Sequence, residues 1–145
     1  MKRCNDCKEI KPLNEYNKDK KSKDKLTHIC KKCSIKKSTD FNKSIKGRYI
    51  IAKAKAVSCK QEFNISPEFH AKLLLQKCHY CNNDLNPTGS AMDRMDSTKG
   101  YIENNVVPCC GNCNTMKSNK FSHEEMLVAM KAVLKLRAKT KQTFD

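Results

Sequence analysis

The sequence predicts a small α+β protein whose scaffold is stapled by metal rather than by a deep apolar core. Eight of its ten cysteines fall into four C-x2-C pairs, Cys4/Cys7, Cys30/Cys33, Cys78/Cys81 and Cys110/Cys113, a spacing that suits thiolates around tetrahedral Zn(II). Only 38% of the 145 residues are hydrophobic and there is no Trp, so metal clamps substitute for apolar burial. Short strand-forming runs alternate with helical patterns, which sets the mixed class.

Two domains are expected, residues 1–60 and residues 61–145. In the first, the Cys4/Cys7 and Cys30/Cys33 pairs bracket Leu13, Tyr16 and a lysine-rich loop from Lys18 to Lys25. They form one Zn(II) site, with His28 as the alternative fourth ligand. The module presents its basic loop to a partner or leaves it as a solvated run. Residues 34–58 read as one basic helix or two, with Gly47 the candidate break. Phe41, Ile45, Tyr49, Ala52, Ala56 and Val57 lie near helical spacing, and Lys36, Lys37, Lys43, Lys46, Arg48, Lys53 and Lys55 take other faces. Cys59 has no partner at ligand spacing and is expected as a small core residue.

In the second domain, Ser66 is a good N-cap and Pro67 a good first helical residue, so a helix is expected from Pro67 to Gln76. Phe63, Ile65, Phe69 and Leu73 are expected in the core. The chain then reaches Cys78 and Cys81. Gly89 and the run from Ser97 to Gly100 signal turns, and Ala91 to Asp93 should pair with Ile102 to Val107 as a hairpin. After Cys110 and Cys113 the run NTMKSNK forms a short helix. Knuckle, hairpin, knuckle and helix make a treble-clef arrangement. Cys109 lies one residue out of register and is only a fallback ligand. Ser122-His123-Glu124-Glu125 is a capping-box pattern that opens a last helix bearing Met126, Leu127, Met130, Val133, Leu134 and Arg137. That stripe is core or half of a homodimer contact. Residues 140–145 are expected to fray.

Net charge narrows the partner. The formal charge is +15; residues 1–60 carry 19 basic and 6 acidic side chains, residues 61–145 only 11 and 9. Two Cys4 zinc sites would still leave about +11, which favours a polyanion and salt-sensitive binding. No apolar run approaches a membrane span, and MKRCNDCKEI lacks the apolar centre of a signal peptide. Cysteines used as metal ligands rather than disulfides fit a reducing, cytoplasmic setting.

The run MDRMDSTKGYIENNVVPCCGNCNTMK resembles the ββα-metal core of HNH endonucleases, in the branch common among phage-borne members where Asp-Arg-x-Asp replaces the usual Asp-His. The match covers roughly residues 78–125, and the paired zinc modules resemble the family's small restriction enzymes. The resemblance implies that Asp93 and Asn114 ligate a catalytic Mg(II) or Mn(II), while Asn105 fixes the loop architecturally. Lys117 takes the place of a frequent basic residue that touches phosphate. Arg94 stands where the family has its general-base His; an Arg does not deprotonate, but it can clamp a phosphate and stabilise developing charge. The base then comes from elsewhere, with His70, His79, Tyr49 and a metal-bound hydroxide all open. The resemblance points to His70 as the His between the two zinc modules, whereas its place in EFHAKLLL favours a helix surface residue.

Oxygen ligands such as Asp93 and Asn114 suit a hard cation that neutralises charge during phosphodiester hydrolysis, and thiolates suit Zn(II). The expected function is therefore endonuclease action on double-stranded DNA, of restriction or homing type. Lys36, Lys37, Lys43, Lys46, Arg48, Lys53 and Lys117 are the expected phosphate contacts. The competing structural reading makes Asp93 and Asp96 turn caps and Asn114 a helix cap. In the competing functional readings, the protein is a non-catalytic zinc-stabilised DNA- or RNA-binder, or a zinc-dependent protein-interaction module.

Overall fold

A computed structural model describes residues 1–141, so the expected fraying of the last residues lies largely outside the described residues. The chain divides into two compact units, Met1–Asn42 and Lys43–Asp145. The second takes in the helix that the sequence grouping had placed with the first.

In the first unit, β1 (Lys2–Arg3) pairs antiparallel with β2 (Ile10–Lys11), and β3 (Tyr16–Lys18) with β4 (Leu26–Cys30). The turn after Cys4 closes through Lys8 N to Cys4 O and Cys4 N to Glu9 O, with Lys8 in the left-handed region. β4 delivers Cys30 directly into α1 (Lys31–Lys43), which carries Cys33 on its first turn. Cys4, Tyr16, Cys30 and Cys33 form the small core.

The expected basic helix is two. α1 stops at Lys43 and α2 (Ile45–Ser58) begins after Ser44, whose hydroxyl accepts from Gly47 N at 3.0 Å. The break therefore comes from an N-cap, and Gly47 sits inside the new helix. α2 buries Arg48, Ala52 and Ala56 and packs on β5 (Phe63–Asn64) and α3 (Pro67–Leu74). Cys59, expected in the core, is exposed, because it lies at the C-cap of α2, beyond the last buried position.

α3 has Ser66 as its N-cap, accepting from Phe69 N at 3.2 Å. The expected hairpin is only half as drawn. β6 (Met92–Arg94) pairs antiparallel with β8 (Val106–Pro108), but β7 (Tyr101–Ile102) leaves it to pair in parallel with β5. A 3-10 turn at Glu103–Asn105 separates the two roles. Gly100 makes this possible: a Cβ there would meet Glu62 backbone and Cβ atoms at 3.1 Å or less.

α4 (Gly111–Lys117) and α5 (His123–Lys141) complete the unit. The capping box forms, with Ser122 N to Glu125 Oε2 at 2.7 Å and Glu125 N to Ser122 Oγ at 3.1 Å. Met126 and Met130 pack with Cys78, Cys81, Cys110 and Cys113, with Val133 at the edge. The methionine stripe is thus core on that side. A second core joins Ala52, Ile65, Leu73, Met92 and Val106.

Candidate metal centres and active site

Each unit gathers four thiols. Cys4, Cys7, Cys30 and Cys33 form one group and Cys78, Cys81, Cys110 and Cys113 the other, with the sulfurs of each within 4.8 Å of one another. Tetrahedral Zn–S bonds of about 2.3 Å imply S···S separations near 3.8 Å, and Cys81 Sγ lies 3.7 Å from Cys110 Sγ. Both groups fit Zn(II). Neither His28 nor Cys109 belongs to a group.

Backbone amides favour the thiolate at one cysteine of each group, Cys78 and Cys4, whereas burial first, then neighbouring thiols, push Cys33, Cys81 and Cys113 upward. Burial alone would raise Cys78, but N–H groups of Cys110, Cys81 and Tyr80 outweigh it and bring the thiol down to about 7. Cys4, also opposed by burial, is brought to about 6 by the amides of Cys30, Asp6 and Cys7. Cys109 is buried and pushed upward, chiefly by that burial and then by the charge of Cys78. It is the more inert thiol.

Asp93 lies on β6, buried, and its Oδ2 accepts from Tyr80 OH at 2.8 Å and faces Lys117 Nζ at 3.2 Å. Lys117, expected on the surface against phosphate, is 1% exposed. Its ammonium also donates to Arg94 O at 2.8 Å. Tyr80 OH lies 3.3 Å from His123 Nδ1, and the His123 ring stacks on His79 with centroids 5.1 Å apart. Burial first, then the bond to Asp93, holds the Tyr80 phenol well above its ordinary value.

Arg94 takes the other face of β6, since neighbouring strand residues alternate. Its guanidinium bonds Gln61 Oε1 and Lys99 O and lies over the Tyr101 ring at 5.2 Å. Asn114, half-buried on α4, lines a cleft of about 260 Å³ with Lys55, Ser90, Ala91, Met92 and Gly111. Asn105 closes the loop that follows Asp96: Oδ1 accepts from Asp96 N at 2.9 Å, and Nδ2 donates to Asp96 O and Gly100 O, both at 3.0 Å. Asp96 is the turn residue of that loop, held down to about 2 by the hydroxyl and N–H of Thr98 and by Lys99.

Two further expectations change. His70 is 0% exposed rather than on a surface. Its Nε2 lies 3.0 Å from Ser90 O, which makes it the donor, and Nδ1 is buried without a partner. Burial, followed by the Arg48 charge, depresses its pKa. Such a nitrogen has no open path to an attacking water. Arg48, expected on the phosphate face, is 7% exposed, and its Nε donates to Gly89 O at 3.0 Å. Both side chains hold the Gly89–Ala91 turn from beneath, where Gly89 and Ala91 are in the left-handed region. Of the other expected phosphate contacts, Lys36, Lys37, Lys43, Lys46 and Lys53 are exposed, with Lys37 paired to Asp6 at 2.7 Å.

For a hard cation the donor set fits in part. Asp93 offers a carboxylate and Asn114 an amide oxygen, three residues before Lys117 on one helix face, but Oδ2 already takes two donors, one of them fully charged. Sequence reasoning missed His123, noted only as part of a capping box, and Tyr80; C-x-Tyr-C in the knuckle was the available signal for the latter.

No family model matches the chain. A segment of 78 residues is 31% identical to the uncharacterized protein R423 of Acanthamoeba polyphaga mimivirus; it covers 54% of this chain and 15% of that protein's length. The rare-cutting HNH restriction endonuclease PacI is a similar solved structure, with a TM-score of 0.49 and 21% identity over 94% of this chain and 95% of that one.

Proposed function

We propose that the protein is a zinc-stabilised DNA endonuclease of HNH type, built on a treble-clef core, which hydrolyses phosphodiester bonds of double-stranded DNA. The observation that carries this reading is the motif in its setting. Asp93-Arg94 lies on a strand, Asn105 locks the intervening loop, and Asn114 follows the last cysteine on a helix start, all within one Cys4-bounded unit. The charge of +15 supplies the affinity for a polyanion. Exposed Lys36, Lys43, Lys46 and Lys53 contact phosphates, and Zn(II) holds the scaffold. Asp93 and Asn114 would hold Mg(II) or Mn(II), whose role would be to neutralise charge on the phosphoryl oxygens.

The test is cutting of supercoiled plasmid by zinc-loaded protein, with and without Mg(II) or Mn(II), beside Asn114→Ala. Asp93→Ala is the poorer control, since it strands the buried Lys117 charge. Metal-dependent cutting lost in Asn114→Ala is the expected outcome. A second reading, a non-catalytic DNA- or RNA-binder, is favoured by the Lys117 ammonium already neutralising Asp93. It expects salt-sensitive binding with no cutting.

A further inference from the structure

We infer that His123 is the general base of the proposed nuclease, with Tyr80 as its positioning residue; this rests on the nuclease reading. Arg94 cannot take a proton, and His70 is sealed away. Tyr49 is engaged through its hydroxyl, which donates to Ile65 O at 3.1 Å. His123 is half-buried and opens onto a cleft lined by Met95, Asp96, Ser97, Asn119, Lys120 and Glu124.

The hydrogen-bond chain fixes which nitrogen is free. Tyr80 has one hydroxyl proton, and it goes to Asp93 Oδ2 at 2.8 Å, a carboxylate that only accepts and is charge-matched by Lys117. The phenol oxygen can then meet His123 Nδ1 at 3.3 Å only as acceptor. A neutral His123 therefore carries its proton on Nδ1 and its lone pair on Nε2. Asp93, Tyr80 and His123 form a relay of orientation in which the tyrosine does for the imidazole what a carboxylate does elsewhere. The His79 ring, stacked at 5.1 Å, holds the plane. The charged or titratable groups facing His123 are His79 and Tyr80 from the knuckle, Asp96 from the loop after β6, and Lys120 and Glu124 beside it.

In the step, water oxygen bonds to phosphorus while its proton passes to His123 Nε2. One ester P–O bond breaks, and the departing alkoxide takes a proton from solvent water. The imidazolium then returns its proton to solvent, and net consumption is one water per bond cut.

Two measurements test this on the zinc-loaded full chain. Side-chain ¹⁵N NMR should show neutral His123 as the Nδ1–H tautomer, against the usual Nε2–H preference, and Tyr80→Phe should abolish that bias. An Nε2–H ring in the wild type overturns the inference whether or not the protein cuts DNA. Plasmid cutting in Mg(II) should fall about 100-fold or more in His123→Ala, with unchanged DNA affinity and thermal midpoint, and free imidazole should restore part of it. Tyr80→Phe should lower cutting by less than His123→Ala does, because fewer neutral rings then carry the lone pair on Nε2, and should move the acid limb of the pH–rate profile. His123→Ala cutting at the wild-type rate overturns the base assignment alone. A wild type that binds but never cuts overturns the nuclease reading and the base role together.

Discussion

At the residue scale the decisive feature is a buried ion pair at Asp93, the position expected to ligate a catalytic cation. Removing one partner of such a pair costs about 3–5 kcal/mol, because the other charge is left buried. Asp93→Ala should therefore lower the denaturant midpoint of zinc-loaded protein strongly, whereas Asn114→Ala, half-buried, should change it little. Pairing Asp93→Asn with Lys117→Met should recover most of the loss. His70 gives a second residue-level expectation. Its folded pKa lies below the ordinary 6.5, so the unfolded chain binds the extra proton first. Its contribution is complete above pH 6.5 and is lost as pH falls from there through the folded value. Denaturant midpoints across that range should fall less steeply toward acid in His70→Leu than in the wild type. None of this was visible in the sequence. Lys117 and Arg48 read as ordinary basic side chains, because the acid or carbonyl that buries each one sits 24 and 41 residues away.

At the element scale the local signals were legible and the long-range ones were not. Ser66 and Ser122 set helix starts through hydrogen bonds within three residues, so the capping code is local, although the Ser66 hydroxyl also donates to Glu103 Oε1 at 2.8 Å, 37 residues along the chain. Ser122→Ala should cost about 1 kcal/mol, read as a lower thermal midpoint of the whole unit rather than local fraying. The hairpin was drawn too long because Ile102 to Val107 has strand composition throughout, and nothing nearby says that Tyr101 and Ile102 turn to Phe63 and Asn64 instead. The clue was Gly100, read only as a turn residue. Gly100→Ala would drive a methyl into Glu62, so loss of the β5–β7 pairing is expected, seen as faster amide exchange at Tyr101, whose N–H bonds Glu62 O at 2.8 Å.

At the scale of the whole molecule, the cysteine spacing was the most informative part of the sequence, because ligand geometry is set by chemistry rather than by context. The four pairs mark both metal groups, whereas the place of α2 in the second unit follows from its packing on β5 and α3, which its local sequence does not signal. Chelation should unfold each unit, since thiolate burial forms the centre of two of the three cores. Far-UV circular dichroism with a strong chelator, reversed by Zn(II), checks this. DNA affinity should fall steeply and linearly on a log–log salt plot, and a flat plot would remove nucleic acid as the partner.

The two-residue parallel pairing of β5 with β7 has a consequence for portability. The stretch from Cys78 to Lys120 looks like a cassette that could be lifted into another protein, since its metal clamp closes on itself. Yet Met92 and Val106 are roofed by Ala52, Ile65 and Leu73, and the loop that Asn105 closes is moored to Glu62. Cut out at Cys78, the cassette would keep its zinc and lose one wall of its hairpin. The smallest transplantable piece therefore begins at α2, and any donor sequence spliced in before Cys78 must bring its own roof.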